Sequence, residues 1–256
     1  MKFLGKRWLA IYALAAYAFL HVPMLVLAVF SVNASRYTTW AGFSLQWYRE
    51  MFADAHLRET AWNSLVIALA SMIVSTAIGT LCAYGLWRRS AAWLSSSLYL
   101  SLVTPEIVTG ISLLAFYQWL FRYLHLQLGM MTVILAHVAF SIAYVVVVVM
   151  ARLRTFDPSL EEAAMDLGAT ELQAFLRVTL PAILPGVAAA ALLAFTVSID
   201  DYVITSLVAG VDSETLPMAI YSMARRGVSP VVNAISTVIV FGLGALILFS
   251  ERLREA

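Results

Sequence analysis

The sequence predicts an all-α membrane protein with six transmembrane helices, and three observations lead to this prediction. First, 62% of the 256 residues are hydrophobic and 12% are charged, whereas a soluble domain is roughly half apolar and about a quarter charged. Second, four uncharged runs are long enough to cross a bilayer, which takes about 20 apolar residues. Third, two further runs are interrupted by acids alone. A soluble enzyme is therefore disfavoured.

The positions of the charged residues define the predicted helices. The uncharged runs are 8–35, 60–87, 123–151 and 227–250, and the acid-containing runs are 90–121 and 178–211. Together they predict helices at about 8–31, 61–87, 92–121, 130–150, 185–208 and 231–250, within a single transmembrane domain spanning 1–256. The first helix is too long for a signal peptide and lacks a small-residue cleavage pattern, so we expect it to be retained.

The basic residues predict the orientation, because Lys and Arg are enriched in cytoplasmic segments. One side of the predicted bilayer carries ten: Lys2, Lys6, Arg7, Arg88, Arg89, Arg152, Arg154, Arg177, Arg252 and Arg254. The other side carries six: Arg36, Arg49, Arg58, Arg122, Arg225 and Arg226. We therefore expect both termini in the cytoplasm. The net charge of +1 indicates no nucleic-acid partner, and the single cysteine, Cys82, excludes an intrachain disulfide and a thiolate zinc site.

The longest cytoplasmic segment, 152–184, carries clear helix signals. Asp157 or Ser159 can cap a helix, and Ser159 with Glu162 has the spacing of a capping box. An apolar stripe then follows helical spacing, and a glycine is placed to end the helix. The stripe is Leu160, Ala163, Ala164 and Leu167, and the glycine is Gly168. The face beside the stripe is acidic, which an anionic inner leaflet repels, so docking into another protein is favoured over resting on lipid headgroups.

A second short helix follows in the same segment. Thr170 with Gln173 has capping-box spacing and opens this helix, which Leu180-Pro181 and Pro185 are expected to end. Outside the membrane, residues 32–60 mix aromatic and polar side chains and predict a short interfacial helix. Residues 209–230 are expected to form a polar loop.

The cytoplasmic segment resembles the "EAA" loop of ABC importer permeases. The matching residues are Glu162-Ala163-Ala164, then Gly168, then Val178-Thr179-Leu180-Pro181, with Val178 where Ile is usual. The resemblance implies that the first helix of the loop is the coupling helix, which sits in a cleft of an ATPase subunit. By this resemblance Glu162, Ala163, Ala164 and Gly168 take the coupling role.

Four further stretches resemble the spermidine/putrescine permeases, more closely the second of their two permease subunits. These are 40–48 (WAGFSLQWY), 104–112 (TPEIVTGIS), 198–203 (SIDDYV) and 220–234 (IYSM…GVSPVVNA). The resemblance implies that the chain lies in a lipid bilayer, the bacterial inner membrane, and that it has four partner subunits of three kinds. They are a homologous second permease, two ATPase subunits and a periplasmic polyamine-binding protein. No Walker A pattern occurs, so ATP and Mg are expected in the partner ATPase, with no cofactor in this chain and no enzymatic activity of its own.

Three carboxylates lie within predicted spans: Glu106, Asp200 and Asp201. Such residues are costly in a bilayer and usually face a polar cavity. At about 1.5 Å per residue, Glu106 and Asp200 lie roughly 25 Å and 22 Å from the inner edge, which predicts one acidic level around a shared pathway. Pro105 is expected to kink the third helix at this level. Adjacent helical residues point about 100° apart, so one Asp faces the pathway better, and Asp200 is weakly favoured.

Aromatic faces can also bind an aliphatic diammonium ion. Tyr202, Tyr117 and Trp119 are candidates, although membrane aromatics more often pack or anchor in lipid. His21 and His137 are expected to be packed polar residues rather than metal ligands, because no second ligand has suitable spacing. The small residues Ser71, Ser75 and Gly79 predict a helix-packing stripe.

The sequence therefore predicts a transmembrane subunit of an ATP-driven importer for polyamines, forming half of the pathway. Three alternatives stay open. Iron, sulfate and phosphonate importers share the same loop, although the intramembrane acids disfavour the anions. A channel or proton-coupled carrier could use the acids as a relay, and a purely structural membrane subunit would show no transport phenotype.

Overall fold

The computed structural model describes residues 2–89, 91–124, 127–227 and 229–255. The side chains of 2–7 and 243–255, including the predicted cytoplasmic bases at both termini, lie outside the described residues. The described part is helical, with elements in the following order. They are α1 (Lys2–Ser31), α2 (Gln46–Ala53), α3 (Ala55–Arg88), α4 (Ala92–Val103), α5 (Glu106–Leu124), α6 (Met130–Leu153), α7 (Ser159–Asp166), α8 (Glu171–Ala174), a π-helical segment (Phe175–Thr179), α9 (Leu180–Asp200), α10 (Val203–Val208), α11 (Leu216–Arg226) and α12 (Pro230–Glu255).

Several of these helices are long and apolar enough to cross a membrane, as a multi-pass protein requires. Among the described residues there are five: Trp8–Ser31, Ala55–Arg88, Glu106–Leu124, Met130–Leu153 and Glu171–Asp200. Ala92–Val103 and Pro230–Gly242 are shorter apolar helices. The count of six spans and the cytoplasmic termini stay predictions, because the third predicted span is divided and the side chains beyond 242 are not described.

The structure differs from the sequence prediction at two prolines. Pro181 and Pro185 were expected to end the helix opened by Thr170, and this is wrong: the helical path continues to Asp200. Leu180 donates its N–H to the carbonyl of Phe175, five residues back, as in a π turn. Pro181 then lies in the first turn of α9, where a missing N–H costs little.

Two other predicted elements also differ from the structure. The segment 209–230, expected to be a loop, contains the helix Leu216–Arg226. The predicted fifth helix, 185–208, is divided into α9 and α10 by Asp201 and Tyr202. The short helix predicted within 32–60 is present as Gln46–Ala53.

The chain clusters into two compact units, one of which is Met1–Glu59 with Ala219–Ala256. Within it α12 packs against α1 and α2. The loop after α1 is fixed by Asn33, which is fully buried and donates to the carbonyl of Thr39 at 3.0 Å. The indole N–H of Trp47 donates to the carbonyl of Asn33 at 2.6 Å, which attaches α2 to this loop.

The second unit, Thr60–Met218, contains the predicted site residues and is built around α6. One apolar cluster joins α3, α6 and α9 through residues such as Ala83, Val145 and Ile183. Close packing of α3 on α6 depends on Gly79, since a Cβ there would lie 2.6 Å from Cγ1 of Val145. Ser71 and Ser75, on the same predicted stripe, are fully buried.

Candidate substrate cavity and coupling segment

The first break in a predicted span lies at Thr104 and Pro105, immediately before Glu106. Thr104 has extended backbone angles (φ −67°, ψ 128°), which the following proline favours, and Pro105 has no N–H to continue α4. Glu106 is then the first residue of α5, where a carboxylate is stabilised by the positive end of the helix dipole. The sequence predicted a kink here, and the structure shows a full break.

The second break lies at Asp201 and Tyr202, between α9 and α10. Asp201 is buried, and its Oδ2 accepts hydrogen bonds from the backbone N–H of Thr205 at 2.8 Å and from its hydroxyl at 2.7 Å. Oδ1 accepts a longer bond from the N–H of Ile204 at 3.4 Å. The two N–H groups lie in the first turn of α10 and have no partner within the helix, so the side chain of Asp201 caps α10.

A buried histidine connects the helices around this second break. The ring of His137, on α6, is 1% exposed. Its Nδ1 lies 2.6 Å from Oγ of Ser198 on α9, and its Nε2 lies 2.9 Å from Oγ1 of Thr205 on α10. Nε2 is also 3.4 Å from Oδ2 of Asp201. His137 is thus a packed polar residue, as expected, and its partners belong to the candidate site.

The two breaks meet at one cavity of about 210 Å³, which Glu106 and Asp201 both line. The other polar groups that line the cavity include the hydroxyls of Ser101, Thr104, Thr109 and Tyr144. None of the described lining residues is basic. Two carboxylates and several hydroxyl acceptors in one cavity are suited to an organic ammonium ion, which needs anions and acceptors in place of water.

The other predicted pathway residues lie outside this lining. Asp200, weakly favoured from sequence, is the exposed last residue of α9, and Asp201 takes the cavity position instead. Tyr202 is half-buried at the same break. Tyr117 is buried and donates to the carbonyl of Thr132 at 3.1 Å, which is a packing role. Trp119 is exposed on α5.

Sequence reasoning did not identify several hydroxyl residues of this site, including the cavity-lining Ser101, Thr104 and Thr109. Tyr144 lines the cavity, and Ser198 and Thr205 hold His137. Thr205 follows Asp201 by four residues, one more than the usual spacing between a capping side chain and the N–H from which it accepts, so the pair carries no standard capping signal. Tyr144 and Ser198 carry no local signal, because their partners lie on other helices.

The predicted coupling helix is present as α7, and Gly168 ends it as expected. Gly168 has φ +91°, a conformation that glycine adopts without a Cβ penalty. The N–H of Gly168 donates to the carbonyl of Met165 at 2.9 Å, and the N–H of Ala169 donates to that of Ala164 at 3.0 Å. These two bonds form a Schellman motif, which satisfies the last carbonyls of the helix.

The N-terminus of α7 differs from the prediction. Ser159 is the first helical residue, so it cannot serve as the cap of a Ser159–Glu162 capping box. Asp157 instead accepts a hydrogen bond from the N–H of Ser159 at 3.0 Å, and this bond lowers the pKa of the Asp157 carboxyl below its ordinary value. The capping box of Thr170 and Gln173 is formed as predicted.

One face of α7 is left exposed by this chain. Glu162 and Ala163 are exposed, Ala164 is half-buried, and Leu160 and Leu167 are 53% and 91% exposed. Exposed leucines beside alanines and an acid form an apolar surface with a charged rim, which is typical of a helix that docks into a groove.

Comparison with known proteins identifies a matching family and several similar proteins. Residues 75–254 match the family described as "Binding-protein-dependent transport system inner membrane component". The chain is 41% identical over 244 residues to the putrescine transport system permease protein PotI of Escherichia coli, covering 93% of this chain and 87% of that protein. It is 39% identical over 239 residues to the spermidine/putrescine transport system permease protein PotC of Haemophilus influenzae, covering 92% and 91%.

Solved structures show the same fold. A chain of a bacterial ABC transporter involved in the import of the acidic polysaccharide alginate superposes with a TM-score of 0.73 at 14% identity, covering 98% of this chain and 96% of that one. A chain of the MetNI methionine ABC transporter in an inward-facing conformation gives 0.58 at 19% identity, covering 78% and 97%. The chain therefore belongs to the family of binding-protein-dependent transport system inner membrane components, in the group of permeases that PotI and PotC represent.

Proposed function

We propose that the chain is a transmembrane subunit of an ATP-driven ABC importer in the bacterial inner membrane and forms half of a pathway for polyamines. The observation that carries this proposal is the cavity that Glu106 and Asp201 both line. The names of the relatives PotI and PotC support the choice of putrescine and spermidine as cargo.

The cavity chemistry supports a cationic cargo. An aliphatic diamine carries an ammonium group at each end, and each group must exchange water for acceptors as it enters the protein. Glu106 and Asp201 supply charge, and the hydroxyls of Thr104, Thr109 and Tyr144 supply further acceptors. Charge-assisted hydrogen bonds of this kind are roughly twice as strong as neutral ones. Sulfate or phosphonate would be repelled by both carboxylates.

The two helix breaks give the site its means of opening. The helical hydrogen-bond pattern is interrupted at 104–105 and at 201–202. The helices on either side of each interruption can therefore change their angle to one another. Each break carries a carboxylate that lines the cavity. Hinging at either break changes the position of its carboxylate, which allows cargo to be held in one state and released in another. Asp200 and Tyr202 flank Asp201 at the second break and are secondary pathway candidates.

The energy for this cycle is proposed to come from partners. The exposed face of α7, with Glu162, Ala163 and Ala164, docks on an ATPase subunit, which holds ATP and Mg. A homologous second permease, a second ATPase subunit and a periplasmic polyamine-binding protein complete the transporter. Both termini of the chain lie in the cytoplasm.

Uptake of labelled putrescine and spermidine tests the proposal, in a strain that lacks the chromosomal copy of this chain. Expression of the wild-type chain is expected to restore ATP-dependent uptake of at least one of them. Glu106→Gln is expected to abolish most of that uptake while the protein still reaches the membrane. Normal uptake in both Glu106→Gln and Asp201→Asn would exclude the cavity as the cargo site.

A proton-coupled carrier is the second candidate, and the pair of His137 and Asp201 is the observation that favours it. A histidine and a carboxylate 3.4 Å apart inside helical spans resemble a proton relay. The two candidates differ in their energy source. Uptake that stops on ATP depletion supports the importer, and uptake that survives removal of the ATPase but stops when the proton gradient is collapsed supports the carrier.

A further inference from the structure

Glu161, beside the predicted coupling residues, points away from the exposed face of α7. Its side chain is 1% exposed although it lies on a short cytoplasmic helix. Burying a carboxylate is costly unless it is paired and hydrogen-bonded. The partners of Glu161 therefore indicate why it is buried.

The partners lie at the end of the transmembrane helix α3. Oε1 of Glu161 accepts a hydrogen bond from the hydroxyl of Tyr84. Nη1 of Arg88, one turn further along α3, is 3.8 Å from the same Oε1. Oε2 has no hydrogen-bond partner within the described residues. The attachment of Glu161 to α3 thus depends on one oxygen and two side chains.

The same two side chains of α3 also contact the start of the apolar helical path Glu171–Asp200. The ring of Tyr84 packs against that of Phe175, the first residue of the π segment, with centroids 4.5 Å apart. Nη2 of Arg88 is 3.8 Å from Oε1 of Glu171 on α8. Glu161, Tyr84 and Arg88 therefore connect α7 to both α3 and the segment that leads into α9.

We propose that Glu161 is a positioning residue that transmits displacement of the coupling helix to α3 and, through Tyr84, to the helix that ends at Asp201. This inference rests on the proposed function, because it assumes that an ATPase moves α7. A docked ATPase contacts the exposed face with Glu162 and Ala163. Glu161, on the opposite face, converts that contact into movement of the membrane helices.

The distinction between docking and transmission gives a specific expectation. Loss of a docking residue separates the ATPase from the membrane subunits. Loss of Glu161 leaves docking intact and lets α7 move without α3, so ATP is hydrolysed without import. The amount of cargo imported for each ATP hydrolysed is therefore the quantity that identifies a transmission role.

The experiment compares variants in the complete transporter reconstituted in liposomes, with labelled putrescine as cargo. Glu161→Gln removes the charge that pairs with Arg88, and Tyr84→Phe removes the hydroxyl. Both are expected to co-purify with the ATPase and hydrolyse ATP at nearly the wild-type rate. Import per ATP is expected to fall roughly tenfold, since a buried group loses its partner. The double variant is expected to lose less import per ATP than the two single losses combined, because both substitutions weaken the attachment of the same side chain to α3.

Glu171→Gln is the matched control, because Glu171 also pairs with Arg88 at 3.8 Å but is 79% exposed. Exposed ion pairs contribute little, so its import per ATP is expected to stay at the wild-type value. Unchanged import per ATP in both Glu161→Gln and Tyr84→Phe overturns the inference alone. Loss of the ATPase from both purified complexes also overturns it, because the role is then structural. A wild-type chain that neither binds an ATPase nor imports putrescine overturns the proposed function together with it.

Discussion

Nε2 of His137 lies 3.4 Å from Oδ2 of Asp201, and both residues are almost fully buried where α6, α9 and α10 meet. The same Oδ2 accepts two hydrogen bonds from Thr205. One oxygen of the carboxylate is therefore fixed by three nearby groups. A carboxylate whose position is set in advance loses less conformational freedom when it binds a cation, which favours affinity.

Replacement of His137 tests this fixed geometry. His137→Ala leaves Ser198 and Thr205 without the ring and opens a void between three helices. We expect the purified protein to lose about 2 kcal/mol of stability, because buried polar groups lose their partner. Scanning fluorimetry in detergent measures the shift in melting temperature. His21→Ala, on exposed α1, is the control, and an equal shift in both variants would contradict the assigned packing role.

Replacement of Asp201 tests whether its charge acts on cargo in addition to the contacts of the carboxylate with Thr205 and His137. Asp201→Asn keeps the size of the side chain and an oxygen that can accept from Thr205, but removes the charge. Uptake is expected to fall roughly tenfold or more, since a charge-assisted hydrogen bond contributes about 1.5–3 kcal/mol. Initial rates of putrescine uptake measure this loss.

Two further substitutions of the same type serve as comparisons for Asp201→Asn. Asp200→Asn, outside the cavity lining, is expected to reduce uptake less. Asp212→Asn is expected to have no effect, because the residue is exposed and Asn tolerates its φ of +60°. Equal losses of uptake in Asp200→Asn and Asp201→Asn would contradict the prediction, because only Asp201 of the two lines the cavity.

The parts of the site that depend on neighbouring residues could be predicted from sequence. Pro105 predicts a change of direction before Glu106, and Gly168 predicts the end of α7, because a missing N–H or a left-handed turn acts within a few residues. Glu161 could not be predicted, since helical spacing places it beside the apolar stripe and its partners Tyr84 and Arg88 are on another helix. The pairing of Asp201 with His137 could not be predicted either, because only the tertiary fold brings these two groups together.

Gly168 is expected to determine how α7, the predicted coupling helix, ends. Its φ of +91° costs a residue with a Cβ about 1–2 kcal/mol, which corresponds to roughly tenfold weaker ATPase association if the helix end must keep this form. Gly168→Ala is expected to weaken association by about this amount, and Gly168→Asn by less, because Asn tolerates left-handed angles. Co-purification at several ATPase concentrations measures both. Equal affinity for all three chains would show that the helix end is not part of the docking surface.

The contact between α3 and α6 at Gly79 provides the last prediction. A Cβ at Gly79 would lie 2.6 Å from Cγ1 and 2.7 Å from Cβ of Val145, which is fully buried. Gly79→Ala is therefore expected to destabilise the purified protein by about 1–3 kcal/mol through overpacking. Gly85→Ala, on the same helix, meets no atom within 4 Å and is expected to be neutral or to stabilise by up to about 1 kcal/mol.

A compensating change separates overpacking from any other effect at Gly79. Val145→Ala removes Cγ1, the atom nearest to a new Cβ at Gly79. The double variant Gly79→Ala/Val145→Ala is therefore expected to lose less stability than the two single variants lose together. Melting temperatures of the four chains give this coupling, which is expected to reach about 0.5–3 kcal/mol for residues in contact. Strict additivity would show that the two helices do not meet at this point. Rescue would show instead that the distance between α3 and α6 is set by the absence of one methyl group.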